Sequence, residues 1–380
     1  MNVALVHDYL TQFGGAERAL LEIHRLYPGA PVYTSLYDAR RCGAAFESVD
    51  VRTTWLQKVP FATRNFRALL PFYPAAFESL DLSRYDLVIS STTSFAKGVR
   101  VSPTALHVSY VNTPTRFLWL QDEHTASSIP AAARPLFRAA VPALRRWDLA
   151  AARRPDRIIS NSLNVAERVR RIYGRASDVL APPVDVAQFS PWPETGDYYL
   201  VVARLLRYKR IELAIEACNA LGVPLVIVGT GPDERKLRSL AGPTIRFAGQ
   251  VDDDARRMLF ARARAVIVPG VEDFGLVPVE AAAAGRPAIA FAAGGALETV
   301  IEGTTGTFFR TPTAQALAAT MVQSEHLAFD ARRLVAHASG FSPERFRVRL
   351  AALIGRYQEE LSGQTPAGLR SAGRPAVSYA

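Results

Sequence analysis

The sequence predicts an α/β protein of two Rossmann-like domains, each built on a parallel sheet and facing the other across a cleft. Three observations point there. Short β-branched runs alternate with longer helical stretches, the alternation stops at the proline-rich stretch "PPVDVAQFSPWPETGD" (182–197), which reads as a linker, and after it the alternation starts again. The chain, at 380 residues, is also too long for one core of ordinary size. Alternating strands and helices imply parallel pairing through right-handed crossovers, and ligands in such sheets bind beyond the carboxyl ends of the strands. The expected division is residues 1–190, residues 191–362 with the C-terminal helices, and a tail at 363–380.

In the first half, "VALVHDYL" (3–10) reads as a strand and "GGAERALLEIHRLYP" as the helix after it; "YDLVIS" (85–90), "LHVSYV" (106–111) and "DRIISNS" (156–162) read as further strands. Gly14 and Gly15 stand between the first strand and its helix, but not as G-x-G-x-x-G, so nothing here argues for a dinucleotide. In the second half, "YYLVVARL" (198–205), "PLVIVGTGP" (224–232), "IRFAGQV" (245–251), "AVIVPG" (265–270) and "PAIAFAAGG" (287–295) read as strands, with "RIELAIEACNAL" a helix. The start, "MNVALVHDYL", lacks a basic lead and reads as a first strand, not as a signal peptide; the last 18 residues lack periodicity and are expected to be disordered.

A charged fraction of 21% and a hydrophobic fraction of 49% are those of a globular chain, and no apolar run reaches the length of a membrane span. The two cysteines, Cys42 and Cys218, fit a reducing compartment and a cytoplasmic protein. Net charge is +10, and the excess is local: residues 134–175 hold eleven arginines against Asp148, Asp156 and Glu167. Such a stretch is either a set of solvated helix faces or a surface attracted to anions, so an anionic membrane surface at the inner face of the plasma membrane is one expected partner. Zinc spacings and RNA-binding aromatic signatures are missing, so nucleic acid is not expected.

The chemistry concentrates in "VPGVEDFGLVPVEAAAAGRPAIAFAAGGALETV" (268–300). It reads as strand end, loop and helix, with Glu272 in the loop and Glu280 in the first helical turn. A glutamate in a first turn can simply oppose the helix dipole, whereas Glu272 precedes Gly275, whose missing side chain lets backbone amides approach a ligand. Amides at a helix N-terminus attract phosphate, and carboxylates beside them accept hydrogen bonds from sugar hydroxyls. Arg204 at a strand end and Lys209 five residues on are either solvated cations or a pair that holds a diphosphate without a metal. Gly229 and Gly231 form another glycine turn at a strand end. Asp252–Asp254 suggest a metal site, but an aspartate before an apolar-periodic run is an ordinary helix N-cap.

Taken together, E-D-F-G-L-V-P-V-E with A-x-G-x-P and G-G-x-x-E-x-V behind it resembles the donor-site signature of retaining glycosyltransferases of family four, and "ARLLRYKR" is similar to that family's strand-end Arg and Lys. "GGAER", "YDLVISSTTSFAKGVR" and "VNTPTRFLW" resemble a branch containing bacterial mannosyltransferases of polysaccharide assembly; the likeness covers about residues 1–355. The resemblance implies a GT-B fold and a nucleoside diphosphate sugar as co-substrate, with no cofactor and no metal. Glu280 would bind ribose and Glu272 the transferred sugar, while Arg204 and Lys209 neutralise the diphosphate. The amides of Phe274, Gly275 and Leu276 would contact sugar and phosphate, and Gly14 and Gly15 would lie near the phosphates or acceptor. Asn112 departs from the pattern, because relatives commonly carry histidine there; asparagine cannot titrate but still hydrogen-bonds a hydroxyl.

These readings lead to a retaining hexosyltransferase acting on a glycan or polyprenyl-linked acceptor. GDP-mannose is the first reading of the donor and a UDP-sugar the second. A Rossmann oxidoreductase lacks its glycine fingerprint here, and an inactive sugar-nucleotide-binding protein is the rival that Asn112 keeps open.

Overall fold

The computed structural model describes residues 1–120, 134–194 and 196–363. It divides into two units. The first comprises Met1–Asn161, Val165–Leu180 and the segment from Phe346; the second comprises Ser162–Asn164 and Ala181–Arg345.

The first unit is a seven-stranded sheet in the order β3-β2-β1-β4-β5-β6-β7. Its strands are β1 Val3–His7, β2 Val32–Thr34, β3 Val51–Thr53, β4 Leu87–Thr92, β5 Leu106–Val111, β6 Arg157–Ser160 and β7 Asp178–Val179, all paired in parallel. Successive residues of a strand point to opposite faces, and here both faces are covered. Val6 and Val88 enter one core with Phe77 and Phe95, while Leu5 and Ile89 enter another with Leu20 and Ile23 of the helix Gly15–Leu26.

The second unit is a six-stranded parallel sheet in the order β10-β9-β8-β11-β12-β13. Its strands are β8 Tyr199–Val202, β9 Leu225–Val228, β10 Ile245–Gly249, β11 Ala265–Val268, β12 Ala288–Phe291 and β13 Gly306–Phe309. Every strand read from the sequence is present. β2, β3, β7 and β13 were not read, because runs of two to four residues carry too little periodicity.

Two expectations about organisation need correction. The helix Pro343–Gly363 does not complete the second domain: Phe346, Leu350, Ile354 and Tyr357 pack into the first unit's core with Leu5 and Val108. Tyr110 meets Phe346 edge-on at 5.9 Å, and Arg157 holds Glu360 at 2.8 Å. The apolar stripe announces that this helix is buried, but nothing in the stripe says against which sheet. The proline-rich stretch is likewise part of the second unit and not a linker between two folded pieces. Val184 donates its amide to the Phe341 carbonyl at 2.8 Å, and Phe189 packs edge-on against Phe260 at 5.7 Å. The helix reaches Gly363, the first residue of the segment expected to be disordered; the rest of that segment, 364–380, lies outside the described residues.

Candidate active site

The loop beyond β11 is built by glycines that let backbones touch. A Cβ on Gly270 would lie 2.6 Å from the Tyr208 carbonyl oxygen and 2.7 Å from Lys209 Cα, so this glycine admits the segment that carries Lys209. The double glycine does the same from the other side. Gly294, at φ +64°, would place a Cβ 2.5 Å from the Glu272 carbonyl oxygen, and one on Gly295 would lie 2.3 Å from that of Phe274. Gly295 N–H donates to the Glu272 carbonyl at 2.9 Å. Phe274 anchors the loop: it is buried against Val279, Leu334 and Ala338 and meets Phe341 edge-on at 5.7 Å.

This scaffold brings Lys209 and Glu272 together. Lys209 Nζ donates to both carboxylate oxygens of Glu272, at 2.7 and 2.6 Å, and the two side chains keep 16% and 17% of their exposure. Burial alone would lower the ammonium's pKa; the Glu272 carboxylate outweighs it, so the net shift is upward and Lys209 stays charged. Lys209 sits on a single 3-10 turn, Arg207–Lys209, and not at the start of the helix Ile211–Leu221, because Arg210 adopts a left-handed conformation between them.

Glu280 is placed differently from the expectation. The helix starts at Leu276, with Gly275 as its N-cap at φ +94°, so Glu280 is its fifth residue and lies past the first turn. That weakens the dipole explanation, which acts within the first turn. Glu280 is 6% exposed and one of its oxygens accepts from Arg256 of the helix Asp253–Ala261. Sequence reasoning missed Arg256, whose only signal was its place in "DDDARRM". The aspartates before it follow the N-cap reading: Asp252 Oδ1 accepts from the Ala255 amide at 2.7 Å. Among the described residues no group of three or more His, Cys, Asp or Glu gathers as for a metal ion.

Arg204 lies two residues past β8 and is exposed, with no ion-pair partner among the described residues. Its loop is supported by the second glycine turn. A Cβ on Gly229 would lie 2.0 Å from the Ala203 carbonyl oxygen and one on Gly231 2.4 Å from that of Leu205, so both glycines admit the Arg204 backbone. Leu276 is half-buried at the start of its helix.

In the first unit, Asn112 follows β5. Its amide donates to the Thr92 carbonyl at 2.8 Å, and its Nδ2 makes longer contacts of 3.4 Å to Ser91 Oγ and to the same carbonyl. Next to it Thr113 Oγ1 is buried with no hydrogen-bond partner among the described residues. Gly14 caps the helix that starts at Gly15, and its N–H donates to Glu17 Oε2 at 2.8 Å, so that amide is already spent. Asp8, one residue past β1, was not read as special. Its buried carboxylate accepts from the amides of Ser94, Phe95 and Ala96 at 2.9, 2.7 and 2.7 Å.

Residues 185–338, which hold Arg204, Lys209, Arg256, Glu272 and Glu280, match the family of glycosyl transferases group 1. Over these residues the second unit is similar to the group 1 glycosyl transferases. The chain is 29% identical over 277 residues to a D-inositol 3-phosphate glycosyltransferase of Mycobacterium leprae, covering 61% of this chain and 64% of that one. It is 32% identical over 114 residues to the O-antigen chain mannosyltransferase C of Escherichia coli, covering 28% and 31%. The chain thus spans less than two thirds of these curated relatives. Among solved structures, Anabaena HepE in complex with UDP and glucose matches with a TM-score of 0.70 and 20% identity, over 93% of this chain and 99% of that one. The likeness shows the fold, which is GT-B. In the second unit, Arg204 and Lys209 follow β8 and Glu272 and Glu280 follow β11, while Gly14, Gly15 and Asn112 belong to the first unit.

Proposed function

We propose that the protein is a retaining, metal-independent hexosyltransferase that moves a sugar from a nucleoside diphosphate donor to a glycan or polyprenyl-linked acceptor. The observation that carries this reading is the Lys209–Glu272 pair. It is a charged pair left partly open to solvent at the carboxyl ends of a parallel sheet, where ligands bind in this class of fold. With donor bound, Lys209 and Arg204 neutralise the diphosphate and release Glu272 to the hydroxyls of the hexose. Glu280, held by Arg256 through one oxygen, offers the other to ribose. The amides of Phe274, Gly275 and Leu276 approach sugar and phosphate. Asn112 hydrogen-bonds a sugar hydroxyl. In the transfer the bond from the anomeric carbon to the phosphate oxygen breaks, and a bond to the acceptor oxygen forms on the same face. The acceptor's proton goes to the departing diphosphate, so the protein need supply no nucleophile.

Mannose from GDP-mannose is the first reading of the donor, supported by the partial likeness to an O-antigen mannosyltransferase. A UDP-sugar is the second, supported by the UDP and glucose in the HepE complex. We place the protein on the cytoplasmic side, at an anionic membrane, on the strength of Arg138, Arg145, Arg146 and Arg153, which are exposed on and just beyond the helix Arg134–Ala151. No helix of the described residues is long and apolar enough to cross a membrane.

The test is a thermal-shift panel of GDP, UDP, ADP and their sugars, followed by transfer assays in EDTA. A ligand that binds the folded state raises the melting temperature. Stabilisation by one nucleoside diphosphate and turnover in EDTA are expected; an absolute need for manganese or magnesium would sink the metal-independent mechanism. Binding to anionic vesicles that weakens with salt checks the membrane reading, and equal binding to neutral vesicles would overturn it.

A further inference from the structure

We infer that the buried Lys97–Asp148 pair of the first unit is a positioning device for the loop Asn112–Thr115. This rests on the proposed transfer reaction only for the use to which Asn112 is put. Lys97 is 2% exposed and Asp148 fully buried. Lys97 Nζ donates to Asp148 Oδ1 at 2.6 Å, to Thr115 Oγ1 at 3.2 Å and to the Ser94 carbonyl. Asp148 accepts three further hydrogen bonds: Thr115 Oγ1 at 2.7 Å, Trp119 Nε1 at 2.7 Å and Tyr173 OH at 2.9 Å. Thr115 is held at its backbone too, because its amide donates to Tyr173 OH at 3.3 Å.

The donors come from segments far apart in the chain: the 3-10 turn Ala96–Gly98, the loop before residue 116, the short helix Arg116–Trp119 and the helix Leu163–Tyr173. The carboxylate comes from the helix Arg134–Ala151. The turn is also fixed from its other side, where Asp8 accepts the amides of Ser94, Phe95 and Ala96. Asn112 is tied to the same neighbourhood by its amide bond to Thr92. A continuous set of directional bonds therefore runs from Asp8 through the turn, Lys97 and Asp148 to Thr115, three residues from Asn112.

Stability alone does not explain this arrangement. Apolar residues of similar volume commonly stabilise as much as a buried ion pair, while a pair with its hydrogen bonds filled permits one geometry. Greasy packing would let the loop slide. The network does not.

The double variant Lys97→Met/Asp148→Asn removes both charges together and leaves an amide oxygen to accept from Trp119 and Tyr173, so no buried charge is stranded. Thr115→Val cuts only the link to the loop. Three readouts are compared with the parent: melting temperature, amide hydrogen exchange across 112–115 at Asn112, Thr113 and Thr115, and steady-state kinetics with the sugar nucleotide that the parent turns over. We expect both variants to melt near the parent and to keep its donor KM. Exchange at 112–115 should quicken at least tenfold while the β-strands of the unit stay protected, and kcat should fall at least tenfold. Exchange at 112–115 equal to the parent's would overturn the positioning role. Quickened exchange with parental kcat would overturn its bearing on turnover. If the parent transfers no sugar from any donor, the proposed function fails, and the exchange comparison still decides the positioning role.

Discussion

Two lysine–carboxylate pairs, one in each unit, have the same 2.6 Å contact and different surroundings. Lys97–Asp148 keeps 3% and 1% of its side-chain exposure, and hydroxyl and indole donors fill the carboxylate. Lys209–Glu272 keeps 16% and 17%, and among the described residues the lysine is the one side chain that bonds the Glu272 carboxylate. The first pair has spent its bonding capacity on the protein. The second has kept it, in a loop whose glycines do the structural work. An interior charge with every bond filled reads as architecture, and a charge held half-open at the end of a parallel sheet reads as chemistry.

That contrast can be broken most sharply at Asp148. Asp148→Ala strands a buried ammonium and should cost about 3–5 kcal/mol in unfolding free energy by urea titration. Glu272→Ala should shift it far less, because that pair is part-solvated. Equal losses would erase the distinction between the two pairs.

Activity should show the opposite order. Lys209→Ala should lose about 1.5–3 kcal/mol of kcat/KM, the scale of a charge-assisted hydrogen bond, and melt near the parent. Within the same site, Glu272→Ala should lower kcat and largely keep nucleotide affinity, whereas Glu280→Ala should mainly raise the donor KM and lose that affinity. If both variants lose affinity alike, the two glutamates do not divide the donor as proposed.

The glycine scaffold supplies a third test. Gly294→Ala forces a Cβ to 2.5 Å of the Glu272 carbonyl oxygen at φ +64° and should destabilise by about 1–3 kcal/mol. It should also lower kcat, because the carbonyl it strikes belongs to Glu272, the residue proposed to hold the sugar. A variant with parental kcat would show that the loop does not need this close approach.

The smallest effect concerns pH and a more peripheral pair. Burial would raise the pKa of Glu78, but hydrogen bonds from Arg154 and Trp147 outweigh it and hold the carboxyl below its ordinary 4.5. A depressed carboxylate stabilises above its unfolded pKa and loses that contribution as pH falls through the folded value. The parent's lead in melting temperature over Glu78→Gln should therefore be present at neutral pH and shrink below about pH 4.5. A lead that grows on acidification would reverse the sign.

The sequence by itself determined the fold class, because strand–helix alternation is a local property, and the two-unit plan, because the alternation restarts. It also set Glu272 and Gly275 just beyond β11 and Lys209 shortly after β8, each near a strand end. Tertiary structure alone decided which carboxylate each cation meets. The arginine-rich stretch 134–175 has only three local acids to oppose it in sequence, yet Arg154 pairs with Glu78 and Arg157 with Glu360, from 76 and 203 residues away. Arg256 on Glu280, Asp148 on Lys97 and the return of residues 346–363 to the first unit are of the same kind. Periodicity records that a side chain is buried or that a helix begins. The identity of its partner depends on which elements the crossovers stack together, and no short window of sequence contains that.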